Sequence, residues 1–279
     1  MRTLFKTAIG VLMLSGLTAC GTTFQLPELG ELQTQQATKM FAEARAESPR
    51  RALSNAAAEQ RFRRVSGRVA SVGKKYCEVT TADKKDFNCN VNIDIDRKMN
   101  NRNAYFTYEN DQPIIRITMP MLRDTASDDE VAFILSHEYG HLIGRHIEKQ
   151  QQQAMAGALI LGAMGAAANT YSINNGGYYD PTLVDTSMRA GAAIGGRAYS
   201  QTYELESDTL GTRITAAAGY DPIEGAKFFA RPEKAKSSTG NLSFWGTHPP
   251  DEKRLATVLA TMEEIKGKVG LRLAKKTSE

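Results

Sequence analysis

The sequence predicts a mainly helical α+β fold with a small antiparallel sheet beside one buried helix. Three observations predict it. Residues 38–72 are dominated by Ala, Glu and Arg in a helical pattern. Residues 76–118 carry alternating and β-branched runs. Residues 128–153 open on a capping box and are apolar on most faces, as in a buried helix. Of the 279 residues, 41% are hydrophobic and 24% charged, an ordinary globular balance. A domain of roughly 200 residues can bury a continuous core.

The chain opens MRTLFKTAIGVLMLSGLTAC: two basic residues, an apolar stretch from Ala8 to Leu17, then small residues. This is signal-peptide architecture over 1–19, too short for a spanning helix. Leu17-Thr18-Ala19-Cys20 resembles the bacterial lipoprotein box. That implies cleavage before Cys20, a lipid on Cys20 and a membrane held through this N-terminal anchor; a plain signal peptide ending near a cysteine is the alternative. Gly21 is not the aspartate that commonly retains lipoproteins at the inner membrane. The resemblance therefore implies an exported lipoprotein on the periplasmic face of the outer membrane, if the source is Gram-negative. Residues 20–37, rich in Thr, Gln, Pro and Gly, read as the lipidated N-terminus and a tether. Residues 38–279 read as one folded domain. The formal charge of +4 falls by two when Arg2 and Lys6 leave with the leader, too small a balance to argue for nucleic acid as a partner.

With Cys20 lipidated, Cys77 and Cys89 remain, twelve positions apart around the polar turn Asp83-Lys84-Lys85-Asp86. In an oxidising compartment a disulfide closing this hairpin is favoured over two buried thiols. A metal role is disfavoured, because no histidine lies nearby. Pro49 after Ser48 fits the first turn of a new helix. Seven arginines lie between Arg45 and Arg68. They could rest on anionic headgroups, though a solvated helix face is the commoner use of such a set.

Strands are expected in VNIDID, NAYFTY and PIIRIT, with turns at Asn100-Asn101 and Asn110-Asp111. Ser127-Asp128-Asp129-Glu130 is the capping box, and its acids suit the helix dipole. The run AMAGALILGAMGAAA (154–168) falls short of a membrane span and reads as a buried or lid-forming helix. NNGGYYDP is a loop. A helix follows from about Pro181 or Thr186 to Ala218, with Gly219 as its cap. Two short helices around a loop complete the chain.

In a helix, His137 and His141 lie one turn apart on one face, so their imidazoles can share one Zn2+. Glu138, beside the first, can then act as a base without ligating. A catalytic zinc needs a third protein ligand and an open position. The histidines are His137, His141, His146 and His248. The third ligand is therefore a carboxylate or one of the other two. TYELESDTLG offers Glu204, with Asp208 one turn later and able to hydrogen-bond the outer nitrogen of a ligating histidine. Taken alone, these two acids also fit a solvated helix face. His146 lies about 140° round the helix from His141 and points away from the metal.

HEYGHLIGRH, YELESDTLG about sixty residues on, and THPPDEKR together resemble a zinc peptidase family, M48. It includes the HtpX-like heat-shock proteases, the CAAX prenyl endopeptidases and periplasmic outer-membrane quality-control proteases. Its pattern is HExxH, a later ExxxD, and a His-Pro near the end. The resemblance covers about Arg61 to Lys266, strongly in the three motifs and weakly between them. It implies a zincin (gluzincin-like) fold with one Zn2+ per chain held by His137, His141 and Glu204, and Asp208 as the orienting aspartate. It further implies a metalloendopeptidase with Glu138 as general base, acting on protein or peptide substrates. For an exported lipoprotein these are unfolded or misassembled envelope proteins, with envelope assembly machinery as a partner. Many members carry a Gly-rich turn in the strand before the active helix, where substrate would pair as an added strand. The matching NAYFTYENDQPIIRI has no glycine.

His248 is a candidate catalytic residue that stabilises the oxyanion. It also fits a fourth ligand that closes the site when idle, or a turn cap before Pro249-Pro250. Two further readings stay open. One is a chaperone-like or binding lipoprotein whose zinc is closed by a fourth ligand; a base at Glu138 argues against it. The other is an integral membrane protease, against which stands the lack of a second long apolar run.

Overall fold

A computed structural model describes residues 21–47, 50–195, 201–231 and 243–274. The leader, Cys20 and Pro49 lie outside them, as does 196–200 of the helix expected over 181–218. The described chain divides into a main unit, 22–144 with 201–274, and a smaller unit whose described part centres on 145–195.

The main unit begins earlier than its composition suggests. Phe24 forms an antiparallel bridge with Leu273 and is 3% exposed. Gln25 N–H donates to Arg272 O at 2.8 Å and Ala274 N–H to Thr23 O at 3.0 Å. Helix α1 (Glu31–Ala46) then buries Ala37, Met40, Phe41 and Ala44. The tether expected over 20–37 is thus corrected from Thr22 onward. Its backbone finds partners in the C-terminal segment, 250 residues away along the chain, which no local pattern reveals.

Helix α2 (Asn55–Thr80) starts at Ser54, whose hydroxyl accepts from Ala57 N–H. It buries Ala58, Phe62, Val65, Val69, Gly73 and Cys77, one stripe at helical spacing. Cys77 therefore sits on a helix, and its disulfide to Cys89 (Cα–Cα 5.8 Å) ties that helix to the loop before the sheet. The cross-link is borne out; the strand hairpin around it is not. Four of the seven arginines pair with carboxylates among the described residues. Arg61 and Arg64 pair with Asp128, Arg63 with Glu59, and Arg50 with Glu47 and Glu130.

Strands β1 (Asn92–Asp96), β2 (Ala104–Glu109) and β3 (Gln112–Thr118) form one sheet in the order β1-β3-β2. Asn110 and Asp111 both take left-handed φ, 50° and 62°, as a tight hairpin between β2 and β3 requires. β1 pairs parallel with β3, from Asn92 opposite Ile114 to Asp96 opposite Thr118. The sheet is therefore mixed, not antiparallel. The link before β2 is held to the end of β3: Asn103 N–H donates to Thr118 Oγ1, which itself donates to Asn101 O. This lets β1 reach the far edge.

Helix α3 (Met119–Asp124) leads into α4 (Asp128–Gly144). Glu130 N–H donates to Ser127 Oγ at 3.2 Å, and the Glu130 carboxylate accepts from Ala126 N–H at 2.6 Å, so the capping box forms one residue out of step. Every residue from Glu130 to Gly144 is buried, as expected of a helix apolar on most faces. Burying Phe133, Ile134 and Leu135 contributes about 1.5–3 kcal/mol each. The helix stops at Arg145, which takes a left-handed φ of 58°. The single helix expected over 128–153 is thus two. α7 (Gln201–Ala217) packs against α4, and Gly219 at φ 80° ends it. α8 (Pro222–Ala226), a 3-10 turn (Lys227–Ala230), α9 (Phe244–Thr247) and α10 (Glu252–Lys266) complete the unit.

The smaller unit is a helical hairpin of α5 (His146–Asn174) and α6 (Leu183–Gly195). Gly157 and Gly191 meet so closely that a Cβ on either would fall within 2.3 Å of the other's carbonyl oxygen. The apolar run of 154–168 lies inside this 29-residue helix, which is long and apolar enough to cross a membrane. It is not core: Met155, Leu159 and Met164 are more than half exposed.

Candidate metal centre

Helix α4 presents His137 and His141 to the first turn of α7, where Glu204 sits. All three are buried. The two Nε2 atoms lie 3.0 Å apart. Glu204 Oε2 is 3.5 Å from His137 Nε2, and Oε1 is 3.5 Å from His141 Nε2. His248, after α9, brings its Nε2 to 3.7 Å from Glu138 Oε1 and stacks on Phe244 at 4.4 Å. Ligand atoms of His137, His141, Glu204 and His248 all fall within 4.8 Å of one another. His146 is buried but outside this cluster.

Small residues bring these helices together. A Cβ on Gly140 would lie 2.6 Å from Ser207 Cα, and one on Gly211 would lie 3.0 Å from His137 N. The glycine between the two histidines is thus where α7 crosses. Gly140→Ala is expected to push α7 off α4, costing about 1–3 kcal/mol and weakening metal uptake; thermal melts and a zinc titration check both.

The donor set fits a zinc ion. His137 Nδ1 lies 2.9 Å from Asp208 Oδ1, which places the ring proton there and turns the Nε2 lone pair toward the cluster. Two imidazole nitrogens at 3.0 Å thus face one another beside a carboxylate, and neither oxygen of Glu204 makes a hydrogen bond. Buried acceptors converging in this way are what a cation satisfies. Nitrogen and carboxylate oxygen together suit zinc.

Electrostatics sort the titrating groups. Burial pushes the Glu138 carboxyl up to about 7; nearby Glu204 adds to this, while His137 and the backbone N–H of Phe106 on β2 oppose it. Burial works against charge on His137, yet the nearby Asp208 and Glu204 carboxylates win and raise it to about 9. Burial drives His248 down to about 3, so it is neutral near pH 7. Burial also opposes ionisation of Glu204 and Asp208, but histidine and arginine neighbours hold both below the usual carboxylate range.

Sequence reasoning missed one residue at this centre. Arg254, in the first turn of α10, is 1% exposed and donates to both oxygens of Asp208 at 2.7 Å. Its only sequence signal was its place in THPPDEKR, where a solvated helix start reads equally well. The N-terminal segment was missed too. Phe24 N–H donates to Glu206 at 2.6 Å, and Thr23 Oγ1 donates to Gly144 O at 3.1 Å, so it touches both site helices.

The sequence model of peptidase family M48 matches residues 63–262. The mitochondrial metalloendopeptidase OMA1 of Saccharomyces cerevisiae is 29% identical over 135 residues, covering 47% of this chain and 35% of that protein. The beta-barrel assembly-enhancing protease of Escherichia coli K12 is 26% identical over 139 residues, 49% of this chain and 28% of that protein. Its Yersinia pestis counterpart is 24% identical over 149 residues, 52% and 30% respectively. The match spans about a third of the length of these relatives.

Proposed function

Because the chain belongs to peptidase family M48, we propose that it is a zinc-dependent endopeptidase that cuts unfolded or misassembled envelope proteins. The observation that carries the chemistry is the meeting of His137, His141 and Glu204 with Glu138 beside them. Zinc, when bound, supplies Lewis acidity that polarises the scissile carbonyl and activates water. His137, His141 and Glu204 would hold it. Asp208 fixes the His137 tautomer. Glu138 takes the proton from water and passes it to the leaving amine, and a carboxyl near 7 suits that exchange. β2 is an edge strand whose Phe106 N–H faces this base, so an extended substrate pairing there would run past the site.

The envelope setting rests on the leader and the Cys20 box, and on relatives named for β-barrel assembly. On this reading the protein is a lipoprotein on the periplasmic face of the outer membrane. Purified protein should contain one zinc and digest an unfolded protein. Chelator should stop the digestion and zinc should restore it. Zinc bound at one per chain with no digestion overturns the proposal and favours a chaperone-like or binding lipoprotein.

The placement of His248 among the four donors also supports reading it as a fourth ligand that closes the site when idle. A neutral imidazole closing the ion's shell would make His248→Ala faster in cleavage and weaker in zinc affinity. A His248 that serves the oxyanion would make the same variant about 100-fold slower. Cleavage rate and chelator competition separate the two.

Metal uptake should also be proton-linked. His137 must be neutral to ligate, and in the metal-free protein it titrates at about 9. Below that pH the proton competes, so zinc affinity falls about tenfold per pH unit as pH drops. Calorimetry in buffers of different ionisation enthalpy should show about one proton released per zinc at pH 7.

A further inference from the structure

We propose that Arg254 is the positioning residue of the metal centre, presetting the ligand geometry through Asp208 and Glu204; this rests on the zinc-peptidase reading. Its guanidinium forms a fork on Asp208, Nε to Oδ2 and Nη2 to Oδ1, both at 2.7 Å. Two parallel bonds fix the plane of a carboxylate, which one bond does not. Oδ1 of that same carboxylate receives His137 Nδ1 at 2.9 Å. The chain Arg254–Asp208–His137 therefore sets the angle at which the His137 ring meets the ion.

The third nitrogen extends the hold to a second ligand. Nη1 lies 3.2 Å from Glu204 Oε2 and donates to His248 O at 3.4 Å. One side chain thus touches a ligand on α7, the residue that orients a ligand on α4, and the backbone of the His248 loop. The flat face of the guanidinium rests on the Phe229 ring at 4.1 Å, and the same ring packs against His137 at 5.1 Å. This leaves the fork little freedom to rotate. Two buried carboxylates, Glu204 and Asp208, face this one permanent cation. A lysine would keep the charge and lose the fork.

The test uses the full-length protein with Co2+ as a visible probe and zinc–chelator competition as the affinity readout. Arg254→Lys and Asp208→Asn are each expected to weaken zinc binding 10–100-fold and to shift the Co2+ absorption bands. The double variant R254K/D208N should lose less than the sum of the two single losses, because the two changes share the Asp208 carboxylate while only Arg254→Lys also loosens Glu204. Should Arg254→Met fail to fold, Arg254→Lys carries the test, with circular dichroism as its control. A folded Arg254→Lys protein with wild-type affinity and spectrum overturns the assignment, as do strictly additive effects. Wild-type protein that takes up neither Co2+ nor Zn2+ sinks the metal-centre reading itself, a result distinct from both.

Discussion

Glu138→Gln is expected to lower kcat/KM for an unfolded protein substrate by about 100- to 10,000-fold, with zinc content unchanged. Glutamine keeps the volume of a fully buried side chain, so neither the fold nor the ligands should move. What it loses is the ability to accept a proton. Wild-type enzyme should lose activity as pH falls through the titration of Glu138, because only the ionised carboxylate is a base. In the metal-free protein burial, partly offset by His137, sets that point at about 7, and a bound cation draws it lower. The acid limb of the pH profile should therefore lie at or below about 7. Equal cleavage by E138Q and wild type would remove Glu138 from the chemistry.

Glu204→Ala should remove metal and activity together. Both carboxylate oxygens lie 3.5 Å from the imidazole nitrogens, and their loss leaves only His137, His141 and the His248 loop around the ion. Deleting a ligand should exceed the 10–100-fold typical of outer partners, so zinc affinity should fall by more than about 100-fold. The melting point of wild type rises with zinc by mass action; that rise should shrink or vanish in Glu204→Ala. Retained zinc in a folded variant would mean that another donor, His248 first among them, completes the shell.

The legible parts of this protein were those written in short-range chemistry. The Asn110-Asp111 turn followed from residues that tolerate left-handed φ, and the start of α4 from Ser127 and Glu130. The His137–His141 pair followed from helical spacing, and Glu204 and Asp208 from the ExxxD motif. What stayed hidden depends on distant partners. Parallel pairing of β1 with β3 joins segments about twenty residues apart, and strand pattern alone does not say which neighbour is chosen. At the break the left-handed φ falls on Arg145 and not on the neighbouring Gly144, which stays helical. Residues 22–26 look like linker until the C-terminal segment lies beside them. Arg254 reads as a surface charge until Asp208 and Phe229 enclose it.

Zinc-edge anomalous diffraction from crystals of the metal-loaded protein locates the ion directly. One peak per chain is expected, about 2.0–2.2 Å from Nε2 of His137, Nε2 of His141 and one oxygen of Glu204. A peak elsewhere, or an ion at the histidines with Glu204 turned away from it, would contradict the metal centre described for this chain.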